Sequence, residues 1–274
     1  MQESRFDIDI NQSRLNVLEI LPGSSEEVPL VFLHDALGSV AQWRNFPHTL
    51  AALTGRRAIV YDRPGHGGSS PFLEKRTQDY LQHEAWEVLP QLLNALSIEK
   101  PVLIGHSDGG SIALLYATRF PATAVITEAA HVFVEDTTLE GIRQAVANRK
   151  KIVKRLRKYH GEKADVLFEA WAATWLDPAY KYWDIRTLLP AIACPVLVIQ
   201  GAEDAYGSAA QVQAIVAAIE TLATPLLIPG CGHIPHWEAE ETLMIQIRKF
   251  LGQPGPNHNK TIQDETFKLH QRHE

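Results

Sequence analysis

Cysteine is scarce. Cys194 and Cys231 are all that the 274 residues hold, too few for a disulfide framework. Each sits beside a predicted strand, which suits a small buried thiol, and the expectation is a reduced, cytoplasmic protein. No apolar run approaches the length of a membrane span, and the opening MQESRFDIDI has no signal-peptide core. Positive charge is not in excess: 26 Lys and Arg against 32 Asp and Glu leave a formal charge of -6. No general attraction to nucleic acid or to an anionic membrane is therefore expected. Internal repeats are absent, and no group of His, Asp and Cys has metal-ligand spacing. The run Gly65-His66-Gly67-Gly68 lacks the following Lys-Ser/Thr of a phosphate-cradling loop, which sets nucleotide binding aside. The chemistry expected below needs neither metal nor organic cofactor. What remains is an ordinary globular composition, 45% hydrophobic and 21% charged, at a length that fits one α/β domain with a sizeable insertion.

Residues 5–10 and 14–20 alternate apolar and polar around Asn11-Gln12-Ser13, the pattern of an antiparallel hairpin. Leu30-Val31-Phe32-Leu33 is a continuous apolar run, the mark of a buried central strand. A helix is expected over 40–54, a strand over 57–61, a glycine-rich loop over 62–69 and a helix over 77–96. Strands follow at 102–104 and 124–127, with a helix over 111–119 between them. Residues 132–190 then show no strand pattern. They read as helical segments rich in Trp and Tyr, broken by Gly161, Pro178 and Pro190. The core pattern resumes with strands at 195–199 and 225–228 and helices over 208–220 and 238–251. From Gly252 on the sequence is polar and reads as a tail. The organisation is thus a core of 1–131 and 191–252, an insertion of 132–190, and a tail of 253–274. Strands alternating with helices imply a mostly parallel, doubly wound sheet, in which ligands bind beyond the carboxyl ends of the strands.

The chain is organised around Gly105-His106-Ser107-Asp108-Gly109-Gly110. A short apolar strand stops at a Gly-x-Ser-x-Gly turn, and a helical pattern starts at once beyond it. Glycines two residues either side of Ser107 let strand and helix approach closely, and the strained turn presents the hydroxyl. Asp204 and His233 also follow predicted strands, so all three side chains belong to one edge of the sheet. Serine, acid and histidine in that order can form a nucleophile, a base and the group that orients the base.

The sequence resembles the α/β-hydrolase fold superfamily over residues of about 5–251. The motifs are the GHSDGG turn, LHDALGS at 33–39, DRPGHGGS at 62–69, QGAED at 200–204 and GCGH at 230–233. The resemblance implies catalytic Ser107, Asp204 and His233, with an oxyanion hole from the N–H groups of Asp108 and Ala36. Asp35 stands where a glycine is usual, which leaves Leu37 as an alternative to Ala36. His236 is a rival for the base and Glu128 for the acid; the family pattern favours His233 and Asp204. His34 is expected to be structural, His106 to be packed, and Asp62 and Arg63 to tie down their loop. The insertion matches the family's cap, where Trp171 and Trp175, with His236, are candidate pocket residues.

The implied activity is hydrolysis of a small-molecule carboxylic ester. Carbon–carbon bond hydrolysis, cofactor-free oxygen or perhydrolase chemistry, and non-catalytic ligand binding remain open on the same fold. The basic stretch 149–158, with an apolar face of Ile152, Val153 and Leu156, reads as a solvated helix face or as a docking strip for an acidic carrier protein bearing the ester.

Overall fold

The computed structural model describes residues 1–23 and 27–252; the expected tail of 253–274 lies outside the described residues. Eight strands form one sheet in the order β1-β2-β4-β3-β5-β6-β7-β8. β1 (Gln2–Ile10) and β2 (Ser13–Leu21) make the antiparallel hairpin. Its turn has positive φ at both Asn11 and Gln12, the geometry that matches the twist of paired strands. β2 runs antiparallel to β4 (Ala58–Tyr61). The pairings among β4, β3 (Leu30–Leu33), β5 (Val102–His106), β6 (Ala124–Glu128), β7 (Val196–Gly201) and β8 (Ala223–Ile228) are all parallel. Pro225 in β8 is tolerated because β8 is an edge strand.

Alternation along the strands explains why both faces are covered. Leu30 and Phe32 point to one side, where they share a core with Trp43, Phe46 and Leu50 of the segment around α1 (Phe46–Thr54) and with Leu243 and Ile247 of α10 (Glu240–Phe250). Val31 and Leu33 point to the other, against Leu89 and Leu92 of α3 (Leu89–Ala95) and Ile112 and Leu115 of α4 (Asp108–Ala117). Successive side chains of a strand face opposite ways, so these apolar runs bury two layers of helix at once.

Three expected helices differ in detail. Residues 40–54 divide into a 3-10 turn, Val40–Trp43, and α1, because Arg44 takes φ 52° and Pro47 opens the new helix. Residues 77–96 divide into α2 (Tyr80–His83), a π-helical turn (Glu84–Val88) and α3. Pro90 cannot continue an undisturbed ladder, and the wider turn stands just ahead of it. α4 starts at Asp108 rather than at 111, since Gly109 and Gly110 are already helical.

Between β6 and β7 the chain forms α5 (Asp136–Ala147), α6 (Arg149–His160) and α7 (Ala164–Trp175), with 3-10 turns at Gly161–Lys163, Tyr180–Tyr182 and Leu189–Ala191. α6 buries Val153, Leu156 and His160 and exposes Lys150, Lys151, Lys154, Arg155, Arg157 and Lys158. α8 (Ala209–Ile219) and α9 (Pro235–Glu238) follow β7 and β8. Cys194 and Cys231 are free and buried. Among the described residues no helix is long and apolar enough to cross a membrane.

Candidate active site

β5 ends at His106, and Ser107 takes φ 53°, ψ -118° before α4 begins. That backbone is costly for a residue with a side chain, and its neighbours hold it. Ser107 N–H donates to Glu128 O at 2.8 Å, and Gly110 N–H to Ser107 O at 2.9 Å. A Cβ on Gly105 would collide with the Gly109 carbonyl, and one on Gly109 with the Leu33 carbonyl. Strand and helix therefore meet closely enough to lift Ser107 over the sheet edge only because both positions are glycine.

His233, after β8, carries Nδ1 at 2.9 and 2.8 Å from the two carboxylate oxygens of Asp204, after β7. The same carboxylate accepts from the Tyr206 N–H at 2.8 Å and the Gln200 side-chain amide at 2.6 Å. Three donors on two oxygens fix the acid, and the acid fixes the ring so that Nε2 is left for other work. Burial alone would lower the His233 pKa. The hydrogen bond and charge of Asp204, with Asp35 and Asp108 farther off, outweigh it and hold the pKa above the ordinary histidine value. Burial works to raise the Asp204 pKa, but His233 and the Tyr206 N–H hold it below the usual carboxylate range.

Ser107 and His233 line one cavity of about 200 Å³, with Asp35, Ala36, His131, Trp171 and Trp175 in the same wall. Among the described residues no hydrogen bond joins the Ser107 hydroxyl to His233, whose Nδ1 faces Asp204; catalytic hydrogen bonds often tighten only around substrate. Two backbone donors face the choice left open by Asp35. The Asp35 carboxylate accepts from Leu37 N–H at 3.4 Å. The Ala36 N–H and the Asp108 N–H, at the first position of α4, have no acceptor among the described residues. That favours Ala36 over Leu37 as the second donor.

The rivals are separated by geometry. Glu128 Oε2 accepts from His236 N–H at 3.0 Å and lies 2.8 Å from His236 Nδ1, so this carboxylate faces His236. His236 is not a pocket neighbour of Ser107. It is buried between Trp43, at 4.4 Å between ring centroids, and His106, at 5.0 Å. Pro235 starts α9, and the His236 side chain faces Glu128 at the end of β6 and takes no part in the cavity wall. His106, pushed down to about 4 by burial and by the neighbouring His236, is neutral and donates Nε2–H to His233 O at 2.7 Å. It is packed, as expected, and it also anchors the loop that bears His233.

The loops around Asp35, Ala36 and Leu37 are tied by buried polar groups. Asp62 accepts from the N–H groups of Val40 and Gly68 at 2.7 and 2.8 Å. Arg63, fully buried, donates to Asp35 O at 2.7 Å, and its N–H donates to His34 Nε2 at 3.1 Å. His160 of α6 accepts from Gly67 N–H at 2.9 Å through Nδ1 and donates from Nε2 to Leu37 O at 3.0 Å. Lys163 donates to the carbonyls of His66, Gly67 and Ser69.

Sequence reasoning missed His131, whose Nε2 donates to Tyr206 O at 3.0 Å and whose ring lines the cavity. Its place just beyond β6, at the functional edge of the sheet, was the available signal. Thr138 and Ile142 of α5 also reach the cavity, from a segment that carries no motif. Among the described residues no group of His, Cys, Asp and Glu could hold a metal ion.

The model of the Alpha/beta hydrolase family matches residues 30–244. The chain belongs to that family. Serine hydrolase BPHL from Homo sapiens is 30% identical over 53% of this chain and 53% of its own length. The sn-1-specific diacylglycerol lipase ABHD11 from Danio rerio is 36% identical over 38% of this chain and 31% of its own. The dihydrolipoyllysine-residue acetyltransferase component of an acetoin cleaving system from Pseudomonas putida is 29% identical over 84% of this chain and 65% of its own. The chain thus spans between about a third and two thirds of these curated relatives. Among solved structures, a membrane phospholipase A, a bacterial virulence factor, superposes with TM-score 0.75 at 20% identity, covering 91% of this chain and 86% of its own. The enol-lactonase from Burkholderia xenovorans LB400 gives 0.72 at 17%, covering 90% and 100%. These likenesses establish the fold.

Proposed function

We propose that the chain is a serine hydrolase that cleaves carboxylic esters through an acyl-enzyme. One observation carries the reading: an imidazole held through Nδ1 by a buried carboxylate shares a cavity with a serine on a strained strand-to-helix turn, beside two backbone N–H groups that have no acceptor among the described residues. Ser107 attacks the ester carbonyl carbon as His233 Nε2 takes its proton. Asp204 holds the ring in the tautomer with Nδ1–H and stabilises the imidazolium. The carbonyl oxygen, now negative, is met by the Ala36 and Asp108 N–H groups. His233 returns the proton to the leaving alkoxide. Water then attacks the acyl-enzyme with the same base, restoring Ser107 and releasing the acid.

The size of the cavity, with Ile142, Trp171 and Trp175 in its wall, supports small to medium acyl groups. The segment 132–190 acts in this reading as the cap that supplies those side chains. Curated relatives bearing the names serine hydrolase and diacylglycerol lipase support the ester class. A panel of p-nitrophenyl esters and a vinylogous diketone tests it. Turnover of the esters with Ser107→Ala inactive is expected; cleavage of the diketone alone would move the reading to carbon–carbon hydrolysis. An unreactive Ser107 would move it to ligand binding.

The acidic carrier remains part of the proposal. Lys150, Lys151, Lys154, Arg155 and Lys158 are exposed on α6, whereas Arg149 and Arg157 pair with Asp165 at 3.0 and 2.8 Å. Reversing Lys150, Lys154 and Arg155 to Glu should slow turnover of an acidic carrier-bound ester and spare a small neutral one. Equal effects on both would remove the idea.

A further inference from the structure

Glu128 ends β6, the strand between β5, which leads into Ser107, and β7, which leads towards Asp204. Its main-chain carbonyl accepts the Ser107 N–H at 2.8 Å. Its carboxylate, fully buried, accepts from the His236 N–H at 3.0 Å and lies 2.8 Å from His236 Nδ1, both through Oε2. Oε1 has no hydrogen-bond partner among the described residues. The side chain therefore makes its hydrogen bonds to a single residue, three positions beyond His233. Taking a carboxylate out of water is costly, and the mechanism above gives this one nothing to do.

His233 and His236 belong to the segment that leads from β8 through α9. Some of its hydrogen bonds stay within it: Gly232 N–H and Ile234 N–H donate to Glu238 at 2.7 and 3.1 Å. Among the described residues, its side-chain ties to β5 and β6, the strands beside Ser107, come from His106 and Glu128. His106 holds the His233 carbonyl, and Glu128 holds His236. The His236 ring is packed against Trp43, Phe46 and His106, at 4.4, 5.7 and 5.0 Å between centroids. A ring packed on these sides has one place, and the carboxylate fixes the segment there.

We propose that Glu128 is a positioning residue for the reaction: with its carbonyl on the nucleophile and its carboxylate on His236, one residue sets the separation between Ser107 and the segment that carries the base. This rests on the serine-hydrolase reading. No proton passes to or from Glu128; it acts through the backbone of 233–236. A misplacement of about 1 Å in such a separation costs about 10²-fold in rate, which is the loss expected when the carboxylate is removed.

The test compares wild type, Glu128→Gln, Glu128→Leu, His236→Phe and the Glu128→Leu/His236→Phe double variant on p-nitrophenyl esters, each below its own melting transition. Glu128→Leu fills the space without hydrogen bonds; kcat should fall about 10²-fold with KM nearly unchanged, the pattern of a loss felt only in the transition state. Glu128→Gln keeps an acceptor for the His236 N–H and should recover most of that loss. His236→Phe keeps the packing and gives up the ring's bond, so its effect should not add to that of Glu128→Leu in the double variant. The acid limb of the pH profile should stay in place, because Asp204, Asp35 and Asp108 are the charges that hold the His233 pKa up. A purely structural role would lower Tm and leave kcat of the folded protein alone. Should Glu128→Leu fail to fold, His236→Phe carries the expectation with a kcat loss of about tenfold. Wild-type kcat in whichever of these variants folds, or single effects that multiply in the double variant, would overturn the proposal and leave the hydrolase reading intact. So would an acid limb displaced as far as Asp204→Asn displaces it, which would make Glu128 a partner of His233 itself. Absence of any ester turnover and of Ser107 labelling in wild type would remove both.

Discussion

His160→Ala removes one of the ties between the helices after β6 and the loops that hold Leu37 and Gly67, Lys163 supplying another. The ring accepts from Gly67 N–H at 2.9 Å and donates to Leu37 O at 3.0 Å, and the residue is buried. Truncation leaves one backbone donor and one backbone acceptor without partners, at about 1–3 kcal/mol each. Entry of water into the vacated space recovers part of that, so the expected loss is about 3 kcal/mol. For a domain near this size each kcal/mol moves Tm by roughly 2–4 °C, which gives a drop of about 6–12 °C. His160→Asn, which restores an acceptor near the Nδ1 position, should recover about half. Urea unfolding and thermal melts of the three proteins measure this. The effect should extend to kcat, because Leu37 adjoins the Ala36 donor. A His160→Ala protein within about 0.5 kcal/mol of wild type, the usual span of surface changes, would refute the view that this ring ties the segments together.

Asp204→Asn should lower kcat by about 10³–10⁴, as loss of the orienting acid does in serine triads. It should also move the acid limb of the pH profile. The base works only when neutral, so kcat/KM falls as pH drops through the His233 pKa. That midpoint should lie above the ordinary histidine value in wild type and below it in the variant, because Asp204 is what lifts it against burial; an unmoved limb would contradict the assignment. Stability should fall in mild acid. Burial depresses the pKa of His34, His66, His106, His131 and His160. Unfolded histidines bind protons below about pH 6.5 while these folded ones do not. The stabilisation is therefore complete above that pH and is lost as pH falls. With His106 at about 4, this group alone costs about 1.4 kcal/mol at pH 5.5 and about 3 at pH 4. His233, raised rather than lowered, works in the opposite sense but is one group against five. Urea midpoints that are equal or higher at pH 5.5 than at 7.5 would count against neutral burial.

The sheet and the turn at Ser107 were legible because each rests on a strictly local pattern. Continuous apolar runs such as Leu30–Leu33 and Val102–Ile104 have nowhere to go but the centre of a two-faced sheet. Gly105 and Gly109 mark a contact too close for a Cβ. The meeting of Asp204 with His233 followed from the position of both beyond parallel strands. What was not legible depended on packing at a distance. The π-helical turn at Glu84–Val88 needed more weight on Pro90 than helical periodicity allows. The place of His236 depended on Glu128, more than a hundred residues earlier, which takes both its N–H groups. Likewise Asp35, read as a departure from the family pattern, turns its carboxylate onto Leu37 and leaves Ala36 available. His131 and Thr138 reach the cavity because Tyr206 O accepts from both side chains, a pairing that no spacing encodes.

The most direct test is intact-mass and peptide analysis after reaction with a fluorophosphonate probe, for wild type, Ser107→Ala and His233→Ala. Activation of Ser107 by His233 predicts a single adduct on Ser107, none on Ser107→Ala, and labelling slowed by a factor of about 10³ or more in His233→Ala. An adduct on another residue, or a His233→Ala protein labelled at the wild-type rate, would contradict it.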